Sequence, residues 1–76
     1  MGRHSEALVW IQKALDRLPE DPQITEHLGD TYQALGRWRE AQEAYERALR
    51  LGHENPEQLE SKLEESKKKA EIEETQ

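Results

Sequence analysis

Apolar side chains recur along this chain at helical spacing, in four separate stretches. In the first, Ala7, Leu8, Ile11, Ala14, Leu15 and Leu18 follow the i, i+3, i+4, i+7 rhythm of an amphipathic helix over residues 5–18, with Ser5 as its expected N-cap. Pro19 and Pro22, around Glu20 and Asp21, then stop it, because each ring removes a backbone donor and pushes the preceding residue out of the helical region. A second helix is expected from Pro22 or Gln23, with Ile24, Leu28, Tyr32 and Leu35 inward and Gly36 as a left-handed terminator. The third occupies Trp38 to Leu51 with Ala41, Tyr45, Ala48 and Leu49 inward, and Gly52 is placed to end it in the same way. After Pro56 the character changes to a narrow stripe of Leu59, Leu63 and Ala70 among helix-forming charged residues. Such a helix can cover a neighbour with one face and keep the rest wet, so it reads as a cap that frays from about Ala70.

The chain also matches itself. At a shift of 34 residues, Gly2, Arg3, Glu6, Ala7, Ala14, Leu15, Glu20 and Pro22 fall on Gly36, Arg37, Glu40, Ala41, Ala48, Leu49, Glu54 and Pro56. These are eight identities in 21 positions, where chance gives about one or two. An internal period of this length is the mark of a helical repeat array.

The run Leu28-Gly29-x-x-Tyr32, then Gly36-Arg37-Trp38-x-x-Ala41-x-x-x-Tyr45-x-x-Ala48-Leu49, resembles a tetratricopeptide repeat, whose pattern is W-x-x-L-G-x-x-Y, then A-x-x-x-F, then a late Pro. The small residues let two helix backbones approach, and the large ones fill the space between them. The resemblance implies an all-α solenoid of antiparallel hairpins, about one and a half repeats plus a C-terminal capping helix. Residues 2–22 resemble the second half of a repeat, 23–55 a complete one, and 56–76 the cap, in a single domain over 1–76. The match is imperfect at three places. Thr25 replaces a large aromatic and should loosen the packing there, His53 stands for the late Pro, and Arg37 stands where turns of the family commonly carry an acidic residue. Trp38, just after the turn glycine, is expected to wedge between adjacent helices.

The family's function, carried over with the resemblance, is protein–protein interaction. The first helix of each repeat lines a concave groove, which puts Gln23, Glu26, Asp30, Gln33 and Ala34 on the expected binding surface. Glu26 and Asp30 make that surface acidic. Members that clamp a C-terminal carboxylate use Asn and basic residues there, and Asp30 stands where such an Asn would be. A basic or amphipathic helical peptide is therefore the expected ligand. A second surface comes from Val9 and Trp10, which widen the apolar arc of the first helix beyond what one neighbour needs. Either Trp10 folds down near Leu28 and Tyr32, or these residues support self-association, including a homodimer. The alternative function is thus a structural or designed self-associating module without a natural ligand, and an accessory domain of an enzyme is a third.

Composition narrows the chemistry. Seventy-six residues with 33% hydrophobic and 37% charged content allow one thin core, ordinary for stacked helices whose outer faces are wet. A net charge of -6 opposes binding to nucleic acid or anionic lipid, and the Lys67-Lys68-Lys69 run is offset by flanking glutamates. No apolar run reaches membrane-span length and no signal-peptide core follows Met1, so no membrane association is expected and the cytoplasm is the default compartment. There is no cysteine, and His4, His27 and His53 share no ligand spacing, so no metal or cofactor is expected and the histidines read as solvent-exposed. Ser5, Thr25, Thr31, Ser61 and Ser66 have no oriented base, which argues against an enzyme.

Overall fold

A computed structural model describes residues 3–75, with side-chain surroundings defined as far as Glu73. Met1, Gly2 and Gln76, at the two ends of the repeat assignment, lie outside the described residues. Four α-helices follow one another: α1 (Arg3–Arg17), α2 (Pro22–Ala34), α3 (Trp38–Leu51) and α4 (Pro56–Thr75). Each packs on its neighbours in the chain, and the described part forms a slab 15 Å thick and 38 Å long. The fold is the all-α stack of helical hairpins that the residue pattern predicts.

The helix ends follow local chemistry. Asp21 caps α2 in an extended conformation, its Oδ1 accepting from the backbone N–H of Gln23 (2.9 Å) and Ile24 (3.0 Å). This satisfies two of the amides that a helix start leaves unpaired. At the other end Gly36 takes φ 76° and donates to Gln33 O, while Arg37 N–H donates to Tyr32 O. That crossed pair of bonds needs a left-handed residue, which glycine adopts without a Cβ penalty. Gly52 closes α3 at φ 91°. Ser5 is not the cap of α1, because the helix begins at Arg3 and Ser5 lies inside its first turns. Leu18 likewise falls beyond the end of α1 and is 56% exposed rather than inward.

The core is centred on α3. Ala41, Tyr45 and Ala48 are fully buried and join Leu59 and Leu63 of α4, with Tyr32 and Leu49 packed around them. In α2 the fully enclosed positions are the small ones, Thr25, Gly29 and Thr31, whereas Ile24, Leu28, Tyr32 and Leu35 are only half-buried. The reason is distance. The Tyr45 ring lies flat on the α2 backbone at Gly29, so close that a Cβ there would sit 2.5 Å from Tyr45 Cε1. Thr25 does not loosen the packing, since it is fully buried and its hydroxyl donates to Asp21 O at 2.8 Å.

Helix α4 covers α3 through Leu59, Leu63, Ser66 and Ala70, and it continues as helix to Thr75. Trp38 packs towards it, with the Lys69 ammonium 4.6 Å from the ring centroid and Ala70 nearby. On the wet side Glu65 lies 3.8 Å from Lys69 as the spacing predicts, while Glu64 meets Lys67 at 3.9 Å rather than Lys68. Exposed pairs of this kind contribute only tenths of a kcal/mol.

Candidate functional site

Two surfaces were expected to carry function, and the fold treats them differently. Of the expected groove residues of α2, Glu26, Asp30 and Gln33 meet side chains of α3, α4 and the segment between them, whereas Gln23 and Ala34 do not take part in that network. Gln23 and Ala34 are exposed, but Glu26 and Asp30 are engaged inside the protein. Lys62 of α4 donates to Glu26 Oε2 at 2.8 Å and to both Asp30 oxygens at 3.1 and 3.2 Å. Tyr45 Oη donates to Asp30 Oδ1 at 2.6 Å. His53, expected to face solvent, has only 7% of its side chain exposed and places Nε2 2.6 Å from Glu26 Oε1. His4 and His27 are exposed as expected.

The protons in this network can be placed. Nδ1 of His53 accepts the Asn55 backbone N–H at 2.9 Å, so Nδ1 carries no hydrogen and Nε2–H is the donor to Glu26. The contact is a hydrogen bond from a neutral imidazole, and Lys62 supplies the positive charge. Tyr45 has one hydroxyl hydrogen, given to Asp30, so towards Gln33 3.2 Å away it can only accept. With the Gln33 amide turned so that Nε2 faces the hydroxyl, that nitrogen, otherwise buried without a partner, donates to Tyr45 Oη.

Burial raises the Glu26 carboxyl, yet the hydrogen bonds from Lys62 and His53, with the Lys62 charge, outweigh it and hold Glu26 below its ordinary value. Burial lowers the Lys62 ammonium, and the two carboxylates more than reverse this, so Lys62 is raised. The Tyr45 phenol is pushed far above its usual range, first by burial and then by the Asp30 carboxylate. The acidic face is thereby largely neutralised and serves to clamp α4 onto the repeat. Lys62 and His53 were missed because each resembles a wet polar residue in one dimension. The available signal was the stripe itself: Lys62 and Ser66 lie between Leu59, Leu63 and Ala70 on one face of α4.

The second surface is open. Between α1 and α2 runs a mainly apolar groove of about 500 Å³, walled by Ala7, Trp10, Ile11 and Ala14 with His4 on one side and by Ile24 and Thr31 with His27 and Asp30 on the other. Trp10 does not fold over Leu28 and Tyr32. It stands 69% exposed on the groove's rim, with Lys13 Nζ 5.0 Å from the ring centroid, and Val9 beside it is 50% exposed. The internal period explains what the groove is. At a shift of 34, Ala7, Ile11 and Ala14 correspond to Ala41, Tyr45 and Ala48, the fully buried residues of α3 that α2 and α4 enclose together. The floor of the groove is therefore the same kind of surface, and among the described residues no second helix lies over it.

Among the described residues no cluster of three His, Cys, Asp or Glu could hold a metal, and no helix is long and apolar enough to cross a membrane. Helices stacked in succession as antiparallel hairpins define a helical-repeat scaffold, a class that mediates protein–protein interaction. The chain belongs to the tetratricopeptide repeat family, whose model matches residues 1–64. Repeats of this family are interaction modules rather than catalysts. Among curated proteins and solved structures, none matches the chain.

Proposed function

We propose that the chain is a protein-binding module that seats an amphipathic helix of its partner in the α1/α2 groove, with Trp10 as the anchor. The observation that carries this reading is the exposed indole on the rim of an apolar groove whose counterpart on α3 is covered by a helix. Aromatic anchors beside a pocket are where binding energy concentrates. The expected ligand carries its own apolar stripe at i, i+3, i+4 and i+7.

A second reading keeps the concave surface of Gln23, Glu26, Asp30, Gln33 and Ala34 for a basic peptide. It is supported by the two carboxylates, but such a ligand must compete with Lys62 for them. A third assigns Val9 and Trp10 to self-association. The first two separate in one titration, following backbone amides and Trp fluorescence against two peptides, one with an apolar stripe and no net charge, the other basic with no stripe. Shifts confined to residues 3–17 and 24–31 with the striped peptide, abolished by Trp10→Ala, are expected. Shifts at residues 23–34 with the basic peptide alone would move the site to the concave face, and silence with both would sink the groove.

A further inference from the structure

The open groove has a natural first occupant, and we infer that it is a second copy of this chain, docked through an antiparallel pairing of α1 with α1 about a two-fold axis at Trp10. This rests on the groove reading above and names its partner.

The reason lies in how charge is arranged around the indole. At about 100° and 1.5 Å per residue, Glu6 and Lys13 fall on the same flank of Trp10, one about 6 Å before it and the other about 4.5 Å after it. Ala7 and Ala14 fall on the opposite flank at similar heights. A two-fold axis perpendicular to the helices reverses height while keeping flanks together. Glu6 of each copy then faces Lys13 of the other, and the two alanine edges meet, which permits close backbone approach. Each indole lies over the other copy's groove. Arg3 and Arg17 come together only at the two ends, where long side chains keep their heads in water.

The distribution of charge over the molecule selects this mode over the alternatives. The whole chain carries -6, but α1 holds three basic residues against two carboxylates. Helix α1 and the neutral α3 are the helices that add nothing to the chain's negative charge, and of these two α1 carries the exposed apolar side chains Val9 and Trp10. Helix α4 carries seven glutamates against four lysines, and its outward side presents Glu57, Glu60, Glu64 and Glu65. Stacking α4 of one copy end to end on the α1/α2 groove of the next would press that glutamate-rich side, net negative even with Lys67 and Lys69 beside Glu64 and Glu65, onto an apolar groove, and desolvating it is costly. The isologous pairing closes at two copies, whereas end-to-end stacking would run on.

Sedimentation equilibrium of the whole chain tests the inference, with helicity by circular dichroism confirming that each variant folds. The parent is expected to move with concentration from 8.9 kDa to twice that mass and no further. Trp10→Ala is expected to abolish the shift. Glu6→Lys or Lys13→Glu alone places like charges opposite each other and is expected to weaken association by about tenfold or more. The double variant Glu6→Lys/Lys13→Glu is expected to associate as well as the parent but not to mix with it. A parallel pairing would give the opposite sorting, with parent and double variant preferring each other, and that would overturn the geometry. A parent that stays monomeric at millimolar concentration, or grows past two copies, overturns the inference. If a striped peptide still binds at Trp10 in a monomeric parent, the helix-binding function stands and only the identity of the occupant is lost.

Discussion

Gly29→Ala should destabilise this protein, although the same change inside an exposed helix normally does the reverse. Replacing a helical glycine by alanine is worth about 1 kcal/mol in favour of the fold, through lower chain entropy in the unfolded state. Here the added Cβ would lie 2.5, 2.7 and 2.9 Å from Tyr45 Cε1, Cδ1 and Cζ. The ring cannot step aside, because Tyr45 is fully buried and its hydroxyl is held by Asp30 at 2.6 Å. Overpacking of this kind costs about 1–3 kcal/mol, and contacts this short belong at the upper end, leaving a net loss of about 1–2 kcal/mol. In a domain of this size that is a fall of roughly 5–15 °C in Tm, read by thermal unfolding followed by circular dichroism. The decisive comparison is with Tyr45→Val, which removes all three clashing atoms, measured with an osmolyte to keep the weakened chain folded. In that background Gly29→Ala should turn stabilising by about 1 kcal/mol. An increase in Tm for Gly29→Ala in the parent, or a decrease of equal size in both backgrounds, would refute the account of close packing at this position.

Four further outcomes follow from the same structure. Glu26 is held below its ordinary carboxyl value of 4.5, so its contribution is present above that pH and lost as pH falls through the depressed folded value; Lys62→Met should lower stability at pH 7, by leaving Glu26 and Asp30 without their cation, and should flatten the acid fall in urea-unfolding curves between pH 6 and 3. At the alkaline end the raised Lys62 and Tyr45 both favour the fold up to their unfolded values and lose that contribution above about pH 10, so the parent should weaken there and Lys62→Met should weaken less. Arg37→Asp should raise stability by about 1 kcal/mol in thermal unfolding, because Arg37 occupies the N-cap of α3 with no side-chain hydrogen bond to it, and a carboxylate there can accept from the first turn. Amide exchange along α4 should be slow around Leu59 and Leu63, which are buried against α3, and rapid beyond Ala70, where Glu71, Ile72 and Glu73 are exposed; uniform protection to Glu74 would contradict a fraying end.

Much of the architecture could be read from residue pattern alone because its determinants are local. The helical rhythm from Trp38 to Leu51, the stop at Pro19, and the left-handed turns at Gly36 and Gly52 all depend on residues close in the chain, and they appear in the structure where they were expected. The start of α1 was misplaced because Ser5 has cap chemistry, while the fold carries the helix back to Arg3 regardless. Thr25 was read as a defect because its size was compared with an aromatic, and in three dimensions the hydroxyl satisfies Asp21 O while the methyl fills a closed space. His53 and Lys62 were unreadable as partners of Glu26, since they lie 27 and 36 residues away and only the stacking of α4 on α3 brings them together.

The sequence by itself determined the repeat: its period, its small-and-large packing residues and its helix boundaries to within a turn. It also marked Trp10 as more apolar surface than one neighbour requires. Only the tertiary structure decided how the charged residues are used. A carboxylate on a helix face has the same one-dimensional signature whether it meets water, a ligand or a lysine from another helix, because Coulomb and hydrogen-bond energies depend on separation in space. In this fold that separation joins Glu26 and Asp30 to Lys62, and it leaves the groove beside Trp10 as the open face.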